Sequence, residues 1–210
     1  MKQIDAVALD GTLVRLEPLG PGHIPGLMTA AEEDRSTYDW SGVPRAAQVA
    51  DYVATRLATD GLTPYAQVRV SDGAPVGVTC LYSRRAWPGR EDVCVVEIGG
   101  TWLGGSAQRT GINAEAKLLL MTYSFEDLGV ARVEWVTDAR NERSRRAIAA
   151  LGATFEGVLR NFSPSRAPGE EGLLRDSAMY SVTDAEWPAV RDALTNRIAD
   201  GGRKASGAEL

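Results

Sequence analysis

The sequence contains few residues of the kinds that bind transition metals or form disulfides. Its 210 residues include one histidine, His23, and two cysteines, Cys80 and Cys94. Because structural zinc sites draw a full set of ligands mainly from cysteine and histidine, we expect no metal site. The two cysteines fall in separate apolar segments and do not make a disulfide framework. We predict that both are buried free thiols.

Long apolar runs and an excess of positive charge are also missing. No segment approaches the ~20 consecutive apolar residues of a membrane-spanning helix, so we expect no membrane insertion. Residues 1–6 lack the apolar core of a signal peptide, which makes a cytoplasmic location the default expectation. The net charge of −5 at pH 7 argues against a general affinity for nucleic-acid backbones, so we expect no nucleic-acid partner.

The chain is long enough for one domain with a sizeable core. Its contents of 44% hydrophobic and 24% charged residues are ordinary for a globular protein. Strand-like and helix-like segments follow one another without an internal repeat or an interdomain linker. We predict one α+β domain over residues 1–200, with a mixed, mostly antiparallel central sheet flanked by helices, and a disordered tail over residues 201–210.

Residues 108–113, Gln-Arg-Thr-Gly-Ile-Asn, are the most informative segment. A strand-like apolar run, residues 92–103, precedes them, and residues 114–128 carry apolar side chains at helical spacing. At a helix start, backbone N–H groups without intrahelical partners and the positive end of the helix dipole converge. The pattern therefore predicts a diphosphate site, to which Arg109 would add a positive charge. A glycine turn before a helix is also compatible with a simple connection.

A second segment, residues 137–157, contains Asn141, Ser144 and the pair Leu151-Gly152. Together the two segments resemble the GNAT family, the acetyl-CoA-dependent N-acetyltransferases, over about residues 9–185. The first segment is similar to the family's pyrophosphate loop, and the second to its Asn-x-x-Ser/Ala helix, which closes on Leu-Gly-Phe or a near variant. The resemblance is greatest to the branch that includes the ribosomal-protein alanine N-acetyltransferases, given Asn-x-x-Ser and a late Arg-Asp-x-x-x-Tyr-Ser.

Two positions depart from the family's pattern. Asn113 occupies the last small position of the pyrophosphate loop, although asparagine tolerates unusual backbone angles better than most residues. Ile148 stands where many members carry a tyrosine that protonates the departing thiolate, so the tyrosine's role is not transferred. A second class of function therefore stays open beside the N-acetyltransferase: a non-catalytic CoA-binding sensor or interaction module on the same fold.

The resemblance implies that acetyl-CoA is the co-substrate and that it lies between two strands that splay apart. Gly99-Gly100 in an otherwise regular strand predicts a bulge that could open the sheet, with a closely packed strand as the alternative. The arginines of residues 140–146 form either a solvated surface or part of a phosphate site. The residues implied to bind CoA lie on the strand end, the loop and the Asn-led helix: Trp102, Leu103, Gln108, Arg109, Thr110, Gly111, Ile112, Asn113 and Asn141.

Acetyl transfer to an amine needs a base for the amine and an acid for the thiolate. Glu97 lies inside an apolar strand, where burial would raise its pKa toward a useful range; on the outer face it would be only a solvated residue. Ser144 falls at the serine of Asn-x-x-Ser and is the candidate acid, with a small residue packed near CoA as the alternative. Asp176 on the last strand is the reserve base.

The acceptor amine is specified only loosely. Tyr38 and Trp40 in an early loop and Tyr180 on the last strand are the candidate acceptor-binding residues, although such aromatic residues often only anchor the packing. We expect the pocket walls to come from this loop, from residues 163–172 and from the last strand. The negative net charge and the pair Glu170-Glu171 favour a cationic acceptor. A protein N-terminus, a small-molecule amine, an aminoglycoside and an aminoacyl-nucleotide toxin all stay open, as does a homodimer.

Overall fold

One mixed sheet organises the part of the chain that the computed structural model describes, residues 4–87 and 89–206. The strands, in chain order, are β1 (Leu9–Asp10), β2 (Val14–Pro18), β3 (Leu62–Arg69), β4 (Pro75–Trp87), β5 (Arg90–Leu103), β6 (Arg132–Asp138), β7 (Thr154–Pro164) and β8 (Leu174–Thr183). They lie side by side in the order β1-β2-β3-β4-β5-β6-β8-β7. Every neighbouring pair is antiparallel except the parallel pair β5–β6.

Helices cover both faces of the sheet, which confirms the predicted α+β class. They are α1 (Ile24–Glu32), α2 (Val49–Ala58), α3 (Ile112–Thr122), α4 (Glu142–Ala149) and α5 (Trp187–Ser206). The last helix continues through the glycines at 201 and 202 to Ser206, into the segment predicted to be a disordered tail. Residues 207–210 of the predicted tail lie outside the described residues, and the single-domain boundaries stay a prediction.

Two apolar cores lie on the two faces of the sheet. Helices α1 and α2 pack against one face with Val78 and Trp102 of the sheet, and α3, α4 and α5 pack against the other with Leu81, Ile98 and Trp135. Because successive side chains of a strand point to opposite faces, the central strands β3, β4 and β5 contribute to both cores. The two faces are called here the α2 side and the α3 side.

The start of α3 is tied to the hairpin between β1 and β2 by a buried carboxylate. Glu115 in the first turn of α3 accepts hydrogen bonds from the backbone N–H groups of Leu13, at 2.6 Å, and Val14, at 2.8 Å. A carboxylate near a helix N-terminus is also favoured by the helix dipole. These contacts hold the first turn of α3 at a fixed position beside the end of β5.

The sheet splays apart between its two parallel strands. Pairing between β5 and β6 covers only Val95↔Arg132, Val96↔Val133 and Glu97↔Glu134. Beyond Glu97, β5 continues to Leu103, and beyond Glu134, β6 continues to Asp138, with no pairing between them. An opening therefore lies between the C-terminal halves of these strands, where the resemblance placed it.

A β-bulge lies beside this opening, on the β4 edge of β5. Cys80 is opposite Gly99 and Val78 is opposite Trp102, so Gly100 and Thr101 together face Thr79 alone. Gly100 has φ of 59°, and a Cβ at that position would lie 2.9 Å from the hydroxyl oxygen of Tyr82. Glycine alone fits this backbone without strain. The bulge predicted at Gly99-Gly100 is confirmed.

The two cysteines are buried and not bonded to each other, as predicted, and burial raises the pKa of Cys80 to about 11. None of the helices in the described part of the chain has the length and apolarity needed to cross a membrane.

Candidate active site

The opening between β5 and β6 leads into a cavity of about 680 Å³. On the α3 side its walls come from the residues 108–114 turn, from α3 and from α4. On the α2 side they come from α2, from residues 37–43 and from residues 162–166. Since both faces of the sheet contribute, the cavity passes through the sheet and can hold a ligand that enters from one side and reacts at the other.

The turn before α3 has the backbone geometry of an anion site. Arg109 has φ of 64° and Gly111, the N-cap residue of α3, has φ of 91°. The first helical hydrogen bond runs from Glu115 N to Gly111 O at 3.0 Å, so the N–H groups before it have no intrahelical partners. A Cβ at Gly111 would lie 2.9 Å from a methyl carbon of Leu13. The turn requires glycine for both reasons.

Side chains around this turn are already held in place. Gln108 Nε2 donates to the carbonyl oxygen of Leu103 at 2.9 Å, and Gln108 Oε1 accepts from Arg143 Nη2 at 2.7 Å. Arg109 and Arg143 both line the cavity, so two positive charges lie beside the turn. The arginine cluster of residues 140–146 therefore contributes at least one side chain to the cavity.

Most residues predicted to bind CoA line the cavity, and two do not. Trp102, Leu103, Gln108, Arg109, Gly111, Asn113 and Asn141 are among its lining residues. The Thr110 hydroxyl instead donates to Ala107 O at 2.7 Å, behind the turn, and the Ile112 side chain packs in the core. Thr110 and Ile112 shape the turn, and only their backbone can face a ligand.

The N-terminus of α4 brings the Asn-x-x-Ser residues to the cavity. Asn141 Oδ1 accepts from Ser144 N at 3.0 Å, which is the side-chain cap of α4. Ser144 and Ile148 both line the cavity. The isoleucine at the usual tyrosine position therefore contributes an apolar wall there, and Ser144 is the hydroxyl that α4 offers.

Glu97 lies where the pairing of β5 with β6 ends, and its side chain points to the α2 side. Only 7% of it is exposed, and its neighbours Val96 and Ile98 point into the opposite core. Among the described residues that line the cavity, Glu97 is the one acidic side chain. The Glu134 carboxylate across the strand pair is instead occupied by Arg85, at 2.6 Å, and Arg132, at 3.1 Å.

Two predicted site residues on β8 are not at the cavity, and the reason is strand alternation. Tyr180 is buried on the α3 side, where its hydroxyl accepts from Arg145 Nε at 3.2 Å and its ring packs against Phe155. Asp176 is exposed and accepts from Asn161 N at 2.9 Å. The β8 residue that does line the cavity is Arg175, which sequence reasoning missed. Counting alternate positions along β8 would have separated Arg175 from Asp176 and Tyr180.

The early loop does line the cavity, through Tyr38 and Trp40. The Tyr38 hydroxyl donates to Leu103 O at 2.8 Å, which anchors the loop to the end of β5. The Arg140 guanidinium lies 4.4 Å from the centre of the Trp40 ring and bonds the Glu170 carboxylate at 2.7 and 2.8 Å. The Glu170 charge is therefore neutralised by Arg140, and the expectation that it attracts a cationic acceptor loses its basis.

Two further basic residues at the cavity were also missed. Lys117 of α3 is 4% exposed, and its Nζ donates to the hydroxyls of Thr79 at 2.7 Å and Thr101 at 2.6 Å, beside the bulge. Burial lowers the pKa of Lys117 to about 7. Arg56 of α2 donates to the Tyr82 hydroxyl at 3.2 Å, and the central carbon of its guanidinium lies 4.8 Å from the centre of the Tyr52 ring. The sequence signal that could have identified Lys117 was a lysine at an apolar position of α3. No sequence signal marked Arg56.

Comparison with known proteins gives a consistent result. Residues 14–154 match the family model described as "Acetyltransferase (GNAT) domain". The chain is similar to a GCN5-related N-acetyltransferase from Brucella melitensis, with 28% identity and a TM-score of 0.82 over 94% of this chain and 87% of that one. No curated protein matches the chain.

Two structures with CoA groups share the fold at lower identity. Mycobacterium smegmatis RimJ in complex with CoA-disulfide has 18% identity and a TM-score of 0.71 over 91% of this chain and 93% of that one. RimL, a ribosomal L7/L12 alpha-N-protein acetyltransferase in complex with coenzyme A, has 17% identity and a TM-score of 0.66 over 84% and 98%.

Proposed function

Because this chain belongs to the GNAT acetyltransferase family, we propose that it moves an acetyl group from acetyl-CoA to a primary amine by direct attack of the amine on the thioester. The observation that carries the proposal is the opening between β5 and β6. One side of it offers a turn whose N–H groups have no intrahelical partners, and the other side offers Glu97, the one acidic side chain among the described lining residues.

The CoA diphosphate is proposed to bind at the turn before α3. The N–H groups of the first turn and the helix dipole favour an anion there, and Arg109 and Arg143 add fixed positive charge. The pantetheine arm would then lie in the opening along β5, with Ser144 and Ile148 of α4 on its other side. RimJ and RimL bind CoA groups on the same fold, which supports this placement.

Glu97 is proposed as the general base. The amine nitrogen attacks the thioester carbon while its proton passes to the Glu97 carboxylate, and the C–S bond then breaks. The departing CoA thiolate takes a proton from the Ser144 hydroxyl, which regains one from solvent, and Glu97 releases the amine proton to solvent. Burial of Glu97 and its lack of acidic neighbours in the cavity suit a base that must act in a water-poor site.

Release of the CoA thiol tests the proposal. Acetyl-CoA is incubated with a panel of small amines and of peptides with free N-termini, and the free thiol is measured with and without each amine. We expect thiol release that depends on the amine, together with a product heavier by one acetyl group. Tight CoA binding without acetylation of any amine would instead favour the non-catalytic sensor, a function that Ile148 at the usual tyrosine position keeps open.

A further inference from the structure

The charge of the cavity is opposite to that of the whole chain. The chain has 28 acidic and 23 basic residues, yet the described cavity lining includes one acidic residue, Glu97, and seven basic ones. Arg109 and Arg143 lie beside the α3 turn, where a diphosphate would neutralise them, and Lys117 lies between two threonines under the bulge. A diphosphate on the α3 side therefore leaves four arginines in the described cavity lining and one carboxylate, Glu97, to balance them.

Three of the remaining arginines lie on the α2 side, and they come from separate elements. Arg56 belongs to α2, and its guanidinium lies beside the bulge at Gly100. Arg166 lies in the loop between β7 and β8, where its guanidinium rests against Gly42. Arg175 is on β8, two residues before Ser177, so the two side chains point to the same face of the sheet. That face is the one away from α4.

These three arginines are named here the arginine triad: Arg56, Arg166 and Arg175. Within residues 4–87 and 89–206, no ion pair joins any of them to a carboxylate. The buried Nε of Arg175 has no hydrogen-bond partner there either. Burial lowers the pKa of Arg175, an effect that the nearby charges of Asp138 and Glu97 partly offset.

Two arginines on or beside β6 that do not line the cavity are paired with carboxylates. Arg132 bonds both Glu134 and Glu156, and Arg140 bonds both Asp138 and Glu170. Arg132 and Arg140 therefore each have two carboxylate partners outside the cavity lining. The triad differs because it faces the cavity.

Resting on the acetyl transfer proposed above, we propose that the acceptor amine also carries an anionic group, a carboxylate or a phosphate, which the arginine triad binds on the α2 side. The amine of such an acceptor would lie near Glu97, whose charge acts on Arg175. Arg56 and Arg175 are half-buried, so leaving their guanidinium groups without an ion-pair partner has a cost, and a carboxylate or phosphate forms short charge-assisted hydrogen bonds to such groups. A purely cationic acceptor would add a charge of the same sign to this side.

Matched pairs of acceptors test the proposal in two arms. The carboxylate arm compares α-amino acids with their amides, and the phosphate arm compares aminoalkyl phosphates with the corresponding aminoalcohols. We expect kcat/KM for the anionic member of at least one arm to exceed that of its neutral partner by about ten- to hundredfold, as for a hydrogen bond to a charged group. Equal rates in both arms, or a preference for polyamines, would overturn the proposal.

Arg175→Gln should remove most of this preference by raising the KM of the anionic acceptor, while the KM for acetyl-CoA stays the same. Arg175→Lys should restore it only in part, because lysine lacks the forked donor geometry of arginine. Arg191→Gln is the matched control: Arg191 is on α5, is paired with Glu126 and Asp192, and lies outside the cavity lining. If Arg175→Gln does not fold, Arg56→Gln makes the same test.

Calorimetry separates this proposal from the acetyl transfer on which it rests. N-acetylated amino acids with their amides, and N-acetylated aminoalkyl phosphates with the corresponding alcohols, are titrated into the complex with CoA, which requires no turnover. Tighter binding of the anionic members of either pair, lost in Arg175→Gln, would support the triad even if no amine were acetylated, and only the transfer would then be wrong. Thiol release with amines but equal binding of anionic and neutral members in both pairs would leave the transfer in place and overturn the triad's role.

Discussion

The two sides of the opening between β5 and β6 are built from different groups. On the α3 side the cavity is bounded by the turn before α3, whose first N–H groups have no intrahelical partners, and the neighbouring Gln108 is already bonded to Leu103 and Arg143. On the α2 side they are charged side chains from α2, β5, β8 and a loop, and the arginine triad has no carboxylate partner among the described residues.

This difference matches what each side is proposed to bind. A diphosphate is the same in every CoA molecule, so consecutive backbone groups held by a glycine turn suffice for it. An acceptor varies from enzyme to enzyme, and side chains on separate elements can change one at a time without disturbing the turn. The predictions below test whether the two sides are separable in this way.

The largest expected effect is at the carboxylate of the α2 side. Glu97→Gln should lower kcat by about a hundredfold or more, since general-base catalysis contributes about 10²–10⁴, and should leave the Kd of CoA unchanged. Glu134→Gln is the control, because Glu134 is a buried carboxylate at the paired position of β6 that is bonded to two arginines outside the cavity. Glu134→Gln should lower stability but retain turnover. If Glu97→Gln is fully active, Glu97 is not the general base.

On the α3 side the expected effect is on CoA binding. Gly111→Val places a β-branched residue at φ of 91° and against Leu13, so the turn must move. Backbone strain of about 1–3 kcal/mol corresponds to a Kd of CoA raised by about ten- to hundredfold when the turn relaxes out of its binding geometry. Calorimetry with CoA measures this change.

Gly73→Val controls for the strain itself. Gly73 has φ of 70° in a turn where a Cβ would contact nothing within 4 Å. This variant should lose stability but bind CoA normally. Equal loss of CoA affinity in both variants would mean that the α3 turn has no specific role.

A smaller effect is expected from the loop that covers the α2 side. Trp40→Ala should raise the KM of the acceptor by about three- to tenfold, because the ring supplies contact area and a cation–π contact with Arg140, and should leave the KM of acetyl-CoA nearly unchanged. If the ring only anchors the loop, the melting temperature should fall while the acceptor KM does not change.

The smallest effect concerns Lys117, which lies between the two sides. Its pKa is lowered from 10.5 to about 7, so between these values the unfolded chain binds more protons than the folded one. Wild-type stability should therefore rise with pH relative to Lys117→Met over this window, by at most about 1.4 kcal/mol per pH unit. Urea unfolding of both proteins at pH 7 and pH 9 measures the difference.

Lys117→Met is a clean comparison because Thr79 and Thr101 can still bond each other at 2.9 Å. Cys80, the neighbour whose charge acts on Lys117, has its pKa raised to about 11, above the window. A stability difference that does not change with pH would show that Lys117 keeps its proton in the folded protein.

Much of the α3 side could be predicted from the sequence. The glycine turn before α3, the cap of α4 by Asn141 and the bulge at Gly99-Gly100 each depend on residues close together in the chain. Local backbone geometry needs particular residue types, such as glycine at positive φ and asparagine at an N-cap, and these types are visible without a structure. The exceptions, Thr110 and Ile112, concern only which way a side chain points.

The α2 side could be predicted only in part. Glu97 was found because an acid interrupts an apolar strand, whereas Arg56 and Arg175 sit in segments where an arginine is unremarkable. Asp176 and Tyr180 were chosen in place of Arg175 because their chemistry fitted, while the facing of β8 was not counted. Glu170 was expected to attract a cation, but Arg140, some thirty residues away, already neutralises it.

The sequence by itself therefore determined the α+β class, the glycine turn before α3 and the family resemblance, because these follow from periodicity and from residue types at short spacing. The tertiary structure alone decided the sign of the charge that lines the α2 side of the cavity. That charge depends on which arginines are paired with carboxylates and which are not. Pairing is set by contacts between strands and loops far apart in the chain, where composition gives only the net charge of the whole.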